Sequence, residues 1–189
     1  MMLKRNRQRG FTLIELLIVV AIIGIIAAIL VPNLIDALQK AKQKRTVSDL
    51  RNVGTAWMSW LTDQVSAAAA GGQPYAQSQL TAVTYPTLLE YLNPAGDATF
   101  YYMQDIPELD GWKHPYVFMA NVNLLASTVL ALCSPGRDGT AQKACLGTDL
   151  VAADTGPFVA TNYDHDIMWA DGFFVMNPLG TGTAAAAGP

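Results

Sequence analysis

Few side chains in this 189-residue chain are placed to do chemistry, and the most telling is Glu15. It stands five residues into 11–31, FTLIELLIVVAIIGIIAAILV, a run otherwise without charge. A carboxylate at such a depth in a spanning helix costs roughly 2.5 to 3.5 kcal/mol on insertion scales and requires a partner. The run itself contains no cation. A cut between Gly10 and Phe11 would create one, because the freed amine of Phe11 lies at about the depth of Glu15. Within one helix that pair is awkward. Between axially displaced neighbouring copies it closes, and the expensive side chain becomes a register device.

Two cysteines, Cys133 and Cys145, lie beyond the apolar run that would carry them out of the cytoplasm. An exported pair reads as a disulfide, and closing such a loop contributes about 3 kcal/mol in the chain-entropy account; two small buried hydrophobes are the alternative. No CxxC or Cys/His cluster points to zinc or thiol redox catalysis. His114 and His165 are the available imidazole bases, and neither sits in a nucleophile motif. The pair Asp164 and Asp166 could in principle do acid/base work. No Gly-rich phosphate loop, HExxH or GxSxG is present, and the chain reads as no enzyme.

The elements that position these residues begin with the leader. Residues 1–10 carry Lys4, Arg5, Arg7 and Arg9 and no acid, which puts the N-terminus in the cytoplasm and makes 11–31 a single transmembrane pass. A secretory signal has a shorter core and is cut after it; here the cut precedes the core. Nine of the twelve basic residues lie at or before Arg51. After Arg51, three basic residues face twelve acidic ones, a formal charge of −9. Such a region repels nucleic acid and favours divalent cations.

Pro32 is expected to kink or locally melt the helix, with Gly24 a second weak point. From Asn33 the pattern turns amphipathic: Leu34, Leu38, Ala41, Val47, Leu50, Val53, Trp57, Trp60 and Leu61 recur at helical steps. Lys40, Lys42, Lys44, Arg45, Asp49 and Arg51 fill the other face, and the helix is expected to span 11–66 and end in the AAAAGG stretch at 67–72. At 1.5 Å per residue it is roughly 80 Å long. Its apolar first half must therefore pack on copies of itself, while Trp57 and Trp60 read as core that docks a globular head over 73–180.

Short β-prone runs in that head, 99–103, 116–119, 129–133, 158–160 and 173–176, predict a small antiparallel sheet. Residues 85–91, after a Thr84 that can cap, predict a short helix carrying Leu88, Leu89 and Leu92. A sheet packed on one helix gives an α+β fold, and the tail at 181–189 reads as disordered.

The segment RGFTLIELLIVVAIIGIIAAILVPNL resembles the class III signal and N-terminal helix of type IV pilins and type II secretion pseudopilins. The resemblance implies cleavage after Gly10 by a prepilin peptidase, N-methylation of Phe11, and a Glu15 that pairs with the Phe11 amine of a neighbouring subunit. Three head stretches resemble the major pseudopilin of type II secretion: Asp110 to Tyr116, DGWKHPY; Ser134 to Gly139, SPGRDG; and Asp164-His165-Asp166-Ile167 with Trp169. Lys113 stands where that family has Gly, the cysteine pair brackets the loop, and the head is longer than is typical. In that family the loop and the acidic pair bind calcium. Here the side-chain ligands would be Asp138, Asp164 and Asp166, with carbonyls near Leu132 and Pro135, and hard cations do take several such oxygens. Solvated loop carboxylates are the alternative.

The resemblance implies a structural subunit of a helical homopolymer, a bacterial inner-membrane protein with its head in the periplasm. Its partners would be the prepilin peptidase, minor pseudopilins or pilins and an inner-membrane assembly platform, with no nucleic acid. The type II secretion pseudopilus is the first reading and a surface pilus for adhesion or motility the second. A monomeric tethered binding module is a third, which requires Glu15 to be dispensable and Gly10 uncut.

Overall fold

The fold is that of a computed structural model, which describes residues 10–71, 81–93, 101–120, 130–142, 145 and 156–179. The leader before Gly10 and the tail at 181–189 lie outside the described residues, as do 99 and 100 of the first expected strand. The chain divides into two compact units, Met1–Gln39 and Lys40–Pro189.

Helix α1, Leu13–Ala69, starts in the first unit and ends in the second. In the first unit its apolar side chains are exposed, Leu13 at 82% and Ile29 at 63%, as a lipid-facing or self-packing surface requires. Among the described residues it is the one helix long and apolar enough to cross a membrane. Of the two outcomes expected at Pro32, melting is absent: the helix is continuous through it. Proline removes one main-chain donor, but the turns on either side keep theirs, and the Asn33 side-chain amide donates to the Ile29 carbonyl at 3.3 Å.

In the second unit α1 buries Gln43, Thr46, Leu50, Val53, Trp57 and Trp60, alternating three- and four-residue steps that trace one face. Leu34, Leu38 and Ala41, earlier in the amphipathic stripe, are exposed in the single chain. Burial instead starts at the polar pair Gln43 and Thr46, because what covers the helix there is main chain. Gly111 N–H donates to Thr46 Oγ1 at 3.0 Å, and a Cβ on Gly111 would collide with the Lys42 carbonyl.

The six strands are β1 Thr81–Val83, β2 Val117–Ala120, β3 Leu130–Ser134, β4 Gly156–Val159, β5 Ile167–Ala170 and β6 Phe173–Leu179, ordered β1-β2-β3-β5-β6-β4. Every pairing is antiparallel except β4 with β6. Alternate residues of β3 and β5 serve two layers. Leu130, Leu132, Ile167 and Trp169 pack with Phe118 against Leu50, Val53 and Trp57, while Ala131, Cys133, Met168 and Ala170 join Met119, Met176 and Cys145 on the opposite side. Trp57 meets Phe118 edge-on at 6.4 Å between centroids, and Trp60 stacks on Tyr91 at 4.5 Å.

Helix α2, Tyr85–Leu92, sits where expected and buries Leu88 and Leu92. Thr84 has the extended backbone of a cap but makes no side-chain cap bond; its hydroxyl lies 2.7 Å from that of Thr87. Residues 101–103 are not a strand. The Tyr102 and Met103 amides donate to the Leu92 carbonyl at 2.8 and 3.3 Å, so this segment closes the C-terminal end of α2 and not a sheet edge.

Candidate assembly and cation sites

The N-terminal site rests on a local device. Glu15 Oε2 accepts from the Thr12 main-chain N–H at 2.9 Å and from the Thr12 hydroxyl at 2.6 Å, while Thr12 Oγ1 accepts from the Glu15 N–H at 3.3 Å. This reciprocal pattern is a capping box, and it satisfies donors that the first turn leaves over. Gly10 and Phe11 just before it are exposed, and nothing lies within 4 Å of where a Cβ on Gly10 would stand. The expected scissile bond is thus open, next to a carboxylate already fixed in place.

The head site is organised by Asp110, the first residue of the DGWKHPY stretch, to which the sequence pattern alone assigns no role. Asp110, 2% exposed, accepts from the Trp112 and His114 N–H groups on Oδ1, both at 2.8 Å, and from the Ser134 hydroxyl on Oδ2 at 2.7 Å. The 109–115 turn is thereby tied to the end of β3. Ser134 Oγ in turn accepts from the Gly136 N–H at 3.3 Å, and His114 Nδ1 lies 2.8 Å from the Gly136 carbonyl. Lys113 holds φ 73 in this turn, the left-handed conformation that glycine adopts freely. An Asp-Gly-Trp turn beside a Ser-Pro-Gly loop was the available signal, but it reads as a strand entry until the loops are seen side by side.

The loop after β3 and the loop before β5 are packed together. Arg137 N–H donates to the Tyr163 carbonyl at 2.8 Å, and a Cβ on Gly136 would stand 2.7 Å from the His165 carbonyl oxygen. The three expected ligands differ in what they do. Asp164 is gripped by the Arg137 guanidinium through two bonds of 2.8 and 2.7 Å, which hold its carboxyl below the usual carboxylate range. Asp138 is exposed and accepts from the Thr140 N–H at 3.0 Å. Asp166 is fully buried; Oδ2 accepts from the Gln142 N–H at 2.8 Å, and Oδ1 has no hydrogen-bond partner among the described residues. Burial first, and the nearby Asp138 charge second among the raising causes, push its carboxyl up to about 6. Leu132 lies within β3 between Phe118 and Trp169, and Pro135 follows that strand.

Cys133 and Cys145 are joined in a disulfide, with Cα atoms 5.4 Å apart. His165 stacks on Phe158 at 5.0 Å, and its buried Nδ1 has no partner among the described residues. Asp166 Oδ1 is a bare carboxylate oxygen, the kind of donor hard divalent cations take. The disulfide sulfurs, though close to Asp166, are not ligands.

An apolar helix that opens on a capped glutamate after an accessible glycine, in a chain whose head lays a sheet on the same helix, defines the type IV pilin class. A family described as "Prokaryotic N-terminal methylation motif" matches residues 5–31. The type II secretion system core protein G of Escherichia coli (strain K12) is 32% identical over 134 residues, 71% of this chain and 85% of the relative. That of Vibrio cholerae is 32% identical over 149 residues, 78% of this chain and 86% of the relative. The type IV major pilin protein PilA of Myxococcus xanthus is 50% identical over 58 residues, 31% of this chain and 26% of the relative. No solved structure matches. The chain belongs to the type II secretion system core protein G family, the major pseudopilins.

Proposed function

We propose that this chain is the repeating subunit of a type II secretion pseudopilus, with a structural and not a catalytic role. It waits in the inner membrane on residues 11–31 with its head in the periplasm, is cut after Gly10 by a prepilin peptidase and is methylated on the Phe11 amine. An inner-membrane assembly platform then adds it to a helical homopolymer that minor pseudopilins complete. Glu15 carries the reading: it is ordered by Thr12, yet no Lys, Arg or His lies between Gly10 and Lys40 to balance its charge. An amine on the next copy supplies that balance.

Matches to core protein G extend over most of the chain and favour the secretion filament. The PilA match, confined to 58 residues, favours a surface pilus only through the helix that both kinds of filament share. Intact-mass measurement on material from the native membrane tests the processing: a new N-terminus at a methylated Phe11 is expected, and a retained 1–10 would sink the polymer reading. Abundant sheared surface fibres of this subunit at native expression would replace the secretion filament with the pilus.

For the head, we propose that Asp138 and Asp166 hold calcium, with main-chain oxygens near Leu132 and Pro135; Asp164 joins them only by releasing Arg137. The bare Oδ1 of Asp166 supports this. When bound, the ion would neutralise the carboxylates and cross-link the two loops. At a hundred times the dissociation constant it would stabilise the head by about 2.7 kcal/mol. Melting of the full-length protein in detergent, with calcium and with chelator, measures it, and identical melts would remove the site.

A further inference from the structure

The segment that supplies the donors to Asp166 is anchored by a covalent bond. Cys133 lies on the central strand β3, fully buried, and Cys145, 2% exposed, is fastened to it across a sequence separation of 12. Between them run Asp138, Thr140 and Gln142. Gln142 N–H donates to Asp166 Oδ2 at 2.8 Å, the Cys145 amide also faces that carboxylate, and the Cys145 N–H closes the turn on the Gln142 carbonyl at 3.0 Å. Both sulfurs and an Asp166 carboxylate oxygen lie within 4.8 Å of one another. The stapled segment therefore satisfies one Asp166 oxygen and leaves the other bare.

We propose that the Cys133–Cys145 disulfide is a positioning element of the cation site, and that oxidation of the pair sets the head's affinity for calcium. The proposal rests on the calcium reading above. The bond forms by thiol–disulfide exchange with an oxidant of the disulfide class. One cysteine thiolate attacks the oxidant's disulfide and expels one of its thiols, and the second cysteine then attacks the mixed disulfide and expels the other. Two electrons and two thiol protons pass to the oxidant, which leaves as a dithiol. Before that step the loop bearing Asp138 and Gln142 is tethered only by its ends, and calcium must bear the entropy of closing it. Afterwards the loop is already closed. Calcium competence thus follows arrival in an oxidising compartment, and a subunit on the reducing side stays weakly loaded. Because linkage is reciprocal, calcium protects the bridge from reduction by the same factor.

The test uses the full-length chain in detergent micelles, with calcium as the probe. Calorimetric titration compares the oxidised protein with a Cys133→Ser/Cys145→Ser variant whose fold is checked by circular dichroism. Thiol trapping in a dithiothreitol redox buffer measures the dithiol–disulfide equilibrium with calcium and with chelator. The expected results are calcium affinity about tenfold or more weaker in the serine variant, and an equilibrium shifted by calcium toward the disulfide. Asp138→Asn/Asp166→Asn should abolish that shift. Equal affinities in a folded serine variant, or an equilibrium indifferent to calcium in a protein that binds it, overturn the proposal. If the serine variant does not fold, the trapping measurement on the unmutated chain decides alone. An oxidised protein that binds no calcium at all overturns the calcium reading itself, and this inference with it.

Discussion

Lys113 and Asp166 are head residues whose local chemistry runs against their surroundings. Lys113 is exposed and holds φ 73 between Asp110 and the β2 entry. A left-handed conformation costs an L-residue about 1–2 kcal/mol, part of which glycine's freer unfolded chain takes back. Lys113→Gly should therefore stabilise by about 1 kcal/mol, a rise of some 2–4 °C in melting temperature. Burial pushes the Asp166 carboxyl up to about 6 from the 3.8 of a solvated aspartate, so in chelator the folded state favours the protonated acid. Its contribution is whole below about pH 4 and is lost as pH rises through about 6. Melts in chelator should show Asp166→Asn gaining on the unmutated chain across that window. The comparison isolates Asp166 from Asp164, whose depressed pKa acts in the opposite sense.

Among the elements, α1 and its contact with β5 set a helix rule against a packing rule. Gly54 is buried in mid-helix, where propensity alone says that Ala should gain about 1 kcal/mol. A Cβ there would stand 2.6 Å from the Trp169 ring, a side chain 2% exposed and packed in the main core. Overpacking a filled core costs about 1–3 kcal/mol, so the net sign reverses. Gly54→Ala should lower the melting temperature, and a rise would mean that Trp169 can move. Much at this scale was legible in the sequence. The 3.6-residue stripe through Leu50, Val53, Trp57 and Trp60, the α2 run and the strands at 117–120, 130–134 and 173–179 follow from periodicity and β-propensity. Ile167–Ala170 was passed over as a strand because it is buried on both faces and shows no alternation. Residues 81–83 are too few to leave a signal. In the site, the sequence supplied Asp138, Asp164 and Asp166 but not the Arg137 grip on Asp164 or the Asp110 hub. Those depend on loops 24 to 27 residues apart meeting in space.

For the molecule as a whole, the question is whether Glu15 serves its own helix or its neighbour. Replacing it with Leu removes a cost in lipid that reaches roughly 2.5 to 3.5 kcal/mol at the centre of a span and is smaller toward its end, so the variant should insert at least as well as the unmutated chain. It also removes half of the Thr12 capping box, a loss of about 1 kcal/mol at the helix start. Thr12→Ala separates the two roles. It deletes the hydroxyl that donates to Oε2 at 2.6 Å but keeps the Thr12 main-chain donor and the Glu15 charge. If Glu15 balances the Phe11 amine of an adjoining copy, Glu15→Leu should stay carbonate-resistant in the membrane and yield no pelletable filament, while Thr12→Ala still polymerises. A Glu15→Leu protein that assembles normally would reduce the carboxylate to a helix cap. The apolar exposure of α1 from Leu13 to Leu38 would then have to set subunit register by shape alone, which a smooth apolar surface does poorly.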